Sequence, residues 1–319
     1  MADQSSLSER QAIPLSKNAR AERKQTRGKF DNVAGYVFIS PFIVGFVVFT
    51  IYPLLTSLYL SFTRYSILQP AVFNGLTNYQ NMLTDAKFWQ SFTNTLYYVV
   101  VSVPLRLTMA LAVAMVMMRA GRMSSIYRTL YYLPSIMGGS IAVALMWRRI
   151  FSSDGAINTF LQLMDFNVTK AWISSPDTAM GTLILLSIWQ FGSAMLIFLS
   201  GLKQIPTSYY EAAVIDGANG RQKFFRITLP MLTPVILFNL IMQTINGFMT
   251  FTSSYVITQG RPLDKTLFFA VYMYRKAFEF RDMGYASAMA WVTLLFIAAL
   301  TALIFRSSSA WVYYEAERG

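Results

Sequence analysis

The residues with the clearest potential for chemistry lie in a polar loop between two long apolar segments. This loop runs from Ile205 to Gly220 and continues to Pro230. Ser208 and Glu211 have the spacing of a capping box, in which the serine oxygen accepts from first-turn amides and the glutamate reaches back to the cap amide. Gly217 stands where a left-handed residue commonly closes a helix. The pattern predicts a short helix between Ser208 and Gly217.

The predicted helix needs a packing partner. It has about eight residues, whereas isolated helices shorter than ~12 to 15 residues are marginal in water. Ala212 and Ala213 form a face of low relief that another surface can approach closely. Apolar area comes from their neighbours Tyr209, Tyr210, Val214 and Ile215. Two interpretations stay open from the residues alone: either the helix docks on another protein, or Glu211 only caps it and the loop packs on its own bundle.

A second polar group lies within an apolar segment. Asn239, Gln243 and Asn246 are spaced i, i+4 and i+7, so they share one face of a helix. Amides beside aromatic rings bind sugar hydroxyls and stack on sugar rings without holding a solute too tightly. The alternative is contact between helices, since buried amides also bond across a bundle. Further candidates for a solute pathway are Gln190, Phe248 and Tyr255.

The composition excludes several kinds of catalysis. The chain has no cysteine and no histidine, which excludes disulfides, thiolate metal sites and imidazole bases. No metal site is predicted. A phosphate-binding loop would end in Gly-Lys-Ser/Thr, and the nearest basic glycine segment, Gly217 to Lys223, has the wrong spacing. The chain is therefore predicted to be no enzyme, and any ATP hydrolysis must come from another protein.

The elements that position these residues are predicted to cross a membrane. The mean hydropathy is +0.42 and only 13% of the residues are charged, too few to cover a soluble globule. A spanning helix needs ~20 mostly apolar residues. Six segments qualify: Tyr36 to Phe62, Phe92 to Met118, Ile126 to Trp147, Met180 to Leu202, Ile227 to Thr250 and Ala286 to Phe305. The predicted fold class is an all-α polytopic membrane protein.

Prolines within these segments favour a packed bundle. They are Pro41, Pro53, Pro104, Pro134 and Pro234. Such residues free backbone carbonyls, which neighbouring helices must bind again. We therefore expect kinked helices in contact with one another rather than isolated anchors.

The distribution of charge predicts orientation and domains. Of the Lys and Arg side chains, 16 lie on the side of the termini and 10 on the other, with Arg106 inside a span. The positive-inside rule then places both termini in the cytoplasm. Residues 1–35 are predicted to be a basic cytoplasmic tail without a signal peptide, 36–306 a six-helix domain with its loop at 205–230, and 307–319 a short cytoplasmic tail.

Other membrane and binding functions receive less support. Basic clusters beside long apolar segments indicate orientation, so the net charge of +12 does not predict nucleic-acid binding. An ion-coupled carrier usually has ionisable residues in its spans, and these spans contain no Asp or Glu. Arg106, the clear charge within them, is either a functional residue or, as we favour, a structural residue that binds carbonyls freed near Pro104 or snorkels. No filter-like loop indicates an ion channel.

The loop resembles that of a known transport family. The residues that carry the resemblance are Glu211, Ala212, Ala213, Asp216, Gly217, Ala218, Phe224, Ile227, Leu229 and Pro230. They are similar to the EAA loop of permease subunits from binding-protein-dependent ABC importers. In that family the loop forms a coupling helix that docks in a cleft of an ATPase subunit. The resemblance implies the type I importer fold, a coupling role for Tyr210 and the residues from Glu211 to Ala218, and a basic ATPase residue that pairs with Glu211.

A wider resemblance narrows the family to its carbohydrate-uptake branch, that of the larger maltose permease. It includes Phe73 to Tyr79, Phe88, Trp89, Asn94 to Leu96, Leu133, Pro134, Trp147, Phe151, Gly155 to Asn158, Thr258, Gly260, Pro262, Thr266, Tyr274, Ala277, Phe278 and Gly284 to Ala288. Arg261 departs from the branch, which commonly has a glycine there. This departure, with the basic loop from Phe251 to Tyr285, favours an acidic saccharide of the alginate kind over a neutral one.

The resemblance implies an assembly as well as a function. The expected partners are a homologous second permease, two ATP-binding subunits that use ATP and Mg, a periplasmic or surface solute-binding protein, and membrane lipid. The expected place is the bacterial inner membrane. This chain would bind no cofactor itself. Import of glycerol phosphate by the same type of permease, and ion-coupled transport, remain the alternatives at this stage.

Overall fold

The structure, a computed structural model, describes residues 35–119, 124–166 and 170–313. The predicted basic tail at 1–35 lies outside the described residues except for Gly35. The C-terminal tail is described as far as Tyr313. The chain divides into two compact units, Met1–Tyr59 and Leu60–Gly319, which are described separately below.

The described part of the first unit belongs to a single apolar helix, α1, Gly35–Ser61. None of its most apolar stretch is buried within the chain. The helix contains a π-helical turn, Val47–Ile51, just before Pro53. Proline has no amide hydrogen, so it leaves a carbonyl in this turn without its usual helical partner. A long helix that is apolar on all sides and unburied is typical of a segment surrounded by lipid or by other subunits.

The second unit contains a β-hairpin, the twelve further helices numbered below, and a π-helical segment, Ser254–Thr258, between α11 and α12. The strands are β1, Thr63–Ser66, and β2, Gln69–Phe73. The helices up to the middle of the unit are α2, Thr77–Thr84; α3, Ala86–Met118; α4, Ser124–Met137; α5, Ile141–Ile150; α6, Ala156–Leu163; and α7, Ala179–Trp189. The remaining helices are α8, Gly192–Gln204; α9, Thr207–Ile215; α10, Gly220–Met231; α11, Thr233–Phe248; α12, Phe269–Tyr274; and α13, Met283–Trp311.

The hairpin corrects the all-α prediction in one detail. Its strands are antiparallel, with Thr63 opposite Phe73 and Ser66 opposite Gln69. The segment is rich in β-branched and aromatic residues, which favour strands, and the sequence interpretation overlooked this. The amide of Asn78 on α2 donates to the carbonyl of Thr63 at 2.9 Å. Gly284 lets α13 approach the same carbonyl, since a Cβ there would lie 2.1 Å from it.

Three of the predicted spans are bent rather than straight. The described residues contain three single helices long and apolar enough to cross a membrane, which are α1, α3 and α13. The pairs α4–α5, α7–α8 and α10–α11 pass the same test together but bend by 96°, 41° and 63°. Length and composition therefore allow six spans if each bent pair crosses once. Helix α13 continues to Trp311, past residue 307, where the C-terminal tail was predicted to start.

Local sequence accounts for the bends. Gly138 and Gly139 separate α4 from α5, and Ser140 caps α5 by accepting a hydrogen bond from the amide of Val143 at 3.3 Å. Pro234 stands in the first turn of α11, where the missing amide costs least. Pro104, in contrast, lies inside α3 without ending it. A prediction of the bends from the proline positions alone would therefore have been wrong.

Helix α3 is the central element of the second unit. It packs against α7, α8 and α11. Ala110, Ala114 and Ala194 are completely buried at these contacts, and small residues allow helix backbones to approach closely. A Cβ on Gly247 of α11 would come within 2.9 Å of the Val99 side chain on α3. This close packing fixes the position of the polar side chains that α3 and α11 carry between them.

Candidate functional site

A polar cavity of about 440 Å³ lies among α3, α11 and the two bent junctions α4–α5 and α7–α8. Three predicted pathway residues line it: Gln190, Gln243 and Asn246. Hydroxyl groups supply much of the remaining polar lining, from Tyr98, Ser102, Ser135, Ser187, Ser193, Thr250, Thr252 and Ser253. Amides and hydroxyls with a few apolar groups are the chemistry that binds sugars. The cavity could therefore hold a sugar unit by hydrogen bonds.

The cavity is built on the break between α7 and α8. Gln190 ends α7, and its carbonyl oxygen accepts hydrogen bonds from Ser135 Oγ at 2.8 Å and from a terminal nitrogen of Arg106 at 2.5 Å. Its side-chain Nε2 donates to the carbonyl of Gly138 at 3.1 Å. A Cβ on Gly138 would lie 2.2 Å from the Gln190 side chain, so a larger residue there would displace that side chain. Two broken helices thus satisfy each other's backbone groups across the cavity wall.

Arg106 occupies an unexpected place. The sequence predicted that it binds carbonyls freed near Pro104, but it binds the Gln190 carbonyl at the α7–α8 break instead. The side chain is half-buried and lines the cavity. The described residues form no ion pair with Arg106. Its Nε is buried without a hydrogen-bond partner in the described part of the chain.

The polar stripe of α11 is only partly directed at the cavity. Gln243 and Asn246 line it, and Gln243 Oε1 has no partner among the described residues. Asn239 does not line it, although it is completely buried with both side-chain polar atoms unpaired there. Buried amides are costly unless they are paired. In the described structure Asn239 therefore neither lines the cavity nor makes the hydrogen bond between helices that the alternative interpretation expects.

The two aromatic candidates lie outside the cavity lining. Phe248 is buried and makes an edge contact with Phe296 of α13, at a ring distance of 5.3 Å. Tyr255 stacks on Phe251, which does line the cavity, at 4.9 Å. Phe251 was missed because it follows the end of α11, where periodicity no longer indicates a face. The structure thus replaces the predicted aromatic contact with a neighbouring one.

The predicted loop helix is present as α9, but its start was predicted wrongly. The cap residue is Pro206, and no side chain caps the helix. Ser208 is therefore already inside the first turn, where it cannot form a capping box with Glu211. The capping box of this loop lies instead at Asn219 and Gln222, which open α10.

The end of α9 agrees with the sequence. Gly217 has a φ of +72°, and the amides of Gly217 and Ala218 donate to the carbonyls of Val214 and Ala213 at 3.0 and 2.8 Å. This double closure requires a left-handed residue, for which glycine is suited. The chain therefore turns sharply after Asp216 and leaves α9 as a separate short helix.

Helix α9 has no buried residue within the described structure. Ile215 is 86% exposed and Val214 59% exposed. Tyr210 is half-buried, and its hydroxyl bonds the Thr228 hydroxyl at 2.9 Å, which ties α9 to the last turn of α10. The Glu211 carboxylate is exposed and forms neither an ion pair nor a side-chain hydrogen bond with the described residues. The interpretation that Glu211 only caps the helix is therefore wrong.

The remaining coupling candidates share this exposure. Ala212, Asp216 and Gly217 are exposed, whereas Ala213 and Ala218 are half-buried. Together with Glu211 and Ile215 they give α9 and the turn after it an exposed surface of mixed apolar and acidic character. Such a surface is unusual for a helix that packs only on its own chain.

One acidic site was missed by the sequence analysis. Asp85 caps α3, and its Oδ2 accepts hydrogen bonds from the hydroxyls of Tyr272 at 2.6 Å and Tyr285 at 2.8 Å. Lys276 lies 3.5 Å from the same oxygen. Burial opposes ionisation of Asp85, but the two tyrosine hydrogen bonds, with help from the Phe88 amide and Lys276, outweigh it and lower the pKa of the carboxyl. Burial and the bond to Asp85 raise the pKa of Tyr272.

No group of three or more Asp and Glu side chains that could hold a metal ion occurs in the described ranges. The site chemistry of the described residues therefore consists of hydrogen-bonding groups, one cavity arginine and an exposed coupling surface.

Comparison with known proteins identifies related chains. The model of a family described as "Binding-protein-dependent transport system inner membrane component" matches residues 86–311. The chain is 53% identical over 302 residues to the probable ABC transporter permease protein YesP of Bacillus subtilis, covering 94% of this chain and 98% of that protein. It is 34% identical to the lactose transport permease LacF of Rhizobium radiobacter, covering 87% of this chain and 94% of LacF.

A further relative and a solved structure complete the comparison. The sulfoquinovosyl glycerol transport permease SmoG of Agrobacterium fabrum is 33% identical, with 86% of this chain and 90% of SmoG covered. A chain of a bacterial ABC transporter that imports the acidic polysaccharide alginate matches with a TM-score of 0.78 at 20% identity, covering 90% of this chain and 99% of that one. At that identity, the match shows a shared fold.

Proposed function

Since this chain belongs to the family of inner membrane components of binding-protein-dependent transport systems, we propose that it forms half of the pathway of an ATP-driven oligosaccharide importer. Family membership makes it a multi-pass membrane permease and not an enzyme. The proposed solute is an acidic oligosaccharide that contains uronate units. The remaining half of the pathway comes from a homologous permease, and the energy comes from two separate ATP-binding subunits.

The observation that carries the proposal is the cavity lined by Gln190, Gln243 and Asn246. It combines amides and hydroxyls with an aromatic ring, and its wall is formed by broken helices. Irregular backbone at membrane depth is tolerated where it lines a cavity, and substrate sites of transporters are commonly built from discontinuous helices. A volume of about 440 Å³ is in the range of sites for small ligands.

Coupling to ATP is proposed to run through α9. Its exposed Ile215 and Val214 provide apolar area, and Glu211 provides a carboxylate that is free to pair with a basic residue. When the ATP-binding subunits close on ATP, α9 moves with them. The helices that carry the cavity then rock from an inward-facing to an outward-facing state. Tyr210, through its bond to Thr228, transmits this movement to α10 and α11.

The proposed orientation follows the basic side chains. Both termini and α9 lie in the cytoplasm, and the loops after α5 and α11 lie in the periplasm. On that side, Arg148 and Arg261 line one hollow of about 550 Å³, and neither has an ion pair with the described residues. A periplasmic solute-binding protein would deliver the solute there. Asp264 also lines this hollow but pairs with Lys87 at 3.5 Å, so the two unpaired guanidinium groups favour an acidic solute.

The relatives support the solute class without fixing the solute. LacF and SmoG are named for transport of lactose and sulfoquinovosyl glycerol. A second solved structure, with a TM-score of 0.77 and 20% identity, shows a bacterial alginate ABC transporter in complex with a periplasmic protein bound to an alginate pentasaccharide. Both the neutral and the acidic solutes in this group are glycosides, so an oligosaccharide is the common expectation.

The test is uptake by the complete transporter in proteoliposomes. The chain is purified with its second permease and ATP-binding subunits, and a labelled oligogalacturonide is supplied with the solute-binding protein. We expect uptake that requires both ATP and the binding protein. Uptake that persists without the ATP-binding subunits would contradict the proposal and favour an ion-coupled carrier.

A further inference from the structure

Arg106 is a charge inside a spanning helix with no acidic partner in the described structure. It is the only charged residue of α3 after Lys87 in the first turn. No described ion pair includes it, and no carboxylate lines the cavity among the described residues. A charge at membrane depth is costly, so such residues normally face a water-filled cavity and pair with another charge. The pairing is missing here.

Hydrogen bonds within the described residues account for only some of the N–H donors of Arg106. One terminal nitrogen donates to the Gln190 carbonyl, while Nε is buried without a partner in the described residues. A guanidinium group has five N–H donors in a fixed fork that suits a carboxylate. Binding one carbonyl would require only a neutral amide of similar length. The retained charge therefore calls for a ligand that is negatively charged.

We propose that Arg106 is the counter-ion for a carboxylate of the solute as it passes through the cavity, and so selects acidic over neutral saccharides. This inference rests on the proposed function and assigns its charge selectivity to one side chain. Ser102 lies one helical turn before Arg106 on the cavity lining, and Gln243 and Asn246 line it from α11. The carboxylate of a uronate unit would meet the guanidinium, while these neutral groups bind its hydroxyls.

The position of Arg106 is fixed by the cavity wall rather than by the solute. Its partner carbonyl on Gln190 is itself held by Ser135, whose Oγ also accepts from the amide of Ser193 at 3.0 Å. The guanidinium is thus oriented before any solute arrives, which lowers the entropy cost of binding. A single preorganised cation at this point distinguishes a charged from a neutral sugar without holding either too strongly.

The experiment compares two probes that differ only in charge. Proteoliposomes with the complete transporter and its solute-binding protein take up a labelled galacturonate trisaccharide or its carboxyl-reduced, neutral counterpart. We expect Arg106→Gln to lower uptake of the acidic probe by about tenfold or more, and uptake of the neutral probe by less than about threefold. Arg106→Lys keeps the charge and should retain most acidic uptake. Arg64→Gln, on the exposed face of β1, is the matched control and should change neither rate.

A second variant guards against misfolding of Arg106→Gln. Ser102→Asp leaves Arg106 in place but provides a carboxylate at i, i+4 spacing that pairs with it. It should lower uptake of the acidic probe far more than uptake of the neutral probe, which loses only the hydrogen bond of the Ser102 hydroxyl. Equal losses of both probes in both variants would overturn the inference and make Arg106 structural, as would wild-type protein that imports only the neutral probe. Wild-type uptake of neither probe would instead overturn the proposed function, and this inference with it.

Discussion

Two carboxylates of this chain, Asp85 and Glu211, differ in how completely the protein satisfies them. Asp85 accepts from two tyrosine hydroxyls and two backbone amides and pairs with Lys276. Glu211 is exposed on α9 and has none of these contacts among the described residues. A carboxylate with all its hydrogen bonds inside the chain serves the fold. A carboxylate that makes no such hydrogen bond and lies on a helix with exposed apolar neighbours is available to bind a partner protein.

The same contrast separates the regions around them. The Asp85 cluster joins the start of α3 to α12 and α13, and each of its members is bound by another. Helix α9 is fixed mainly by the two backbone hydrogen bonds at its end, from the amides of Gly217 and Ala218, and by the hydroxyl of Tyr210. Substitutions near Asp85 should therefore alter stability, whereas substitutions on α9 should alter transport. The comparison fails if substitutions near Asp85 uncouple transport, or if substitutions on α9 lower the stability of the fold.

The largest effect is expected from Glu211→Lys. Reversing the charge places it against the basic ATPase residue proposed to bind Glu211, so docking should fail while the chain still inserts and folds. We expect ATP-dependent uptake to fall by about a hundredfold, with an unchanged melting temperature. The measurement is uptake and ATP hydrolysis by the reconstituted transporter.

Asp177→Lys provides the matched control for this charge reversal. Asp177 is exposed, precedes α7 and forms no ion pair with the described residues. Its reversal should leave uptake nearly unchanged. Normal uptake by Glu211→Lys would remove the coupling role of α9, and loss of uptake in both variants would indicate a general charge effect.

Asp85→Asn should reduce stability without uncoupling transport. The amide keeps the size of the carboxyl but loses the ion pair with Lys276 and the charge-assisted bonds from Tyr272 and Tyr285, a cost of about 1 to 3 kcal/mol. We expect a lower thermal midpoint in detergent and a normal ratio of ATP hydrolysis to uptake. The matched control is Asp154→Asn, because Asp154 is exposed with Arg149 at 2.7 Å, and surface pairs contribute little. Equal destabilisation by both substitutions would contradict the assigned role of the cluster.

The pH dependence of stability sharpens the same point. The pKa of Asp85 is lowered in the folded protein, so its contribution to stability is complete above the unfolded pKa and disappears as the pH falls through the folded pKa. The unfolded value is about 3.9. The difference in midpoint between wild type and Asp85→Asn should be constant from pH 7 to about 5 and then shrink towards pH 3. A difference that stays constant at acid pH would show that the charge of Asp85 does not stabilise the fold.

Features that depend on residues close together in the sequence were predicted, whereas features that depend on residues far apart in the sequence were missed. The apolar segments and the left-handed Gly217 are local properties, and the membrane-helix class and the end of α9 were predicted correctly from them. The Asp85 cluster joins residues as far as 200 positions apart, as in the bond from Tyr285 to Asp85, and no local pattern indicates it. The bends lie at Gly138 and Gln190, which are determined by mutual packing as much as by composition.

The start of α9 shows a subtler limit. Ser208 and Glu211 have capping-box spacing, yet Pro206 caps the helix and Asn219 with Gln222 forms the box that the loop contains. The two pairs fit the same rule at the starts of two different helices, so spacing alone could not show which of the two capping boxes forms. The choice depends on where the preceding chain leaves α8, which is a tertiary property.

The smallest predicted effect tests the closure of α9 at Gly217. Its φ is +72° and a Cβ would meet nothing within 4 Å, so Gly217→Ala adds only backbone strain of roughly 1 to 2 kcal/mol. The amides of Gly217 and Ala218, which donate to Val214 and Ala213, should then exchange with deuterium several-fold faster. Gly220→Ala is the control, because Gly220 lies in the first turn of α10 without a positive φ and also has open space for a Cβ. It should leave exchange unchanged or slow it, since alanine favours a helix. Equal exchange in both variants would mean that α9 is closed by its partner protein rather than by its own chain.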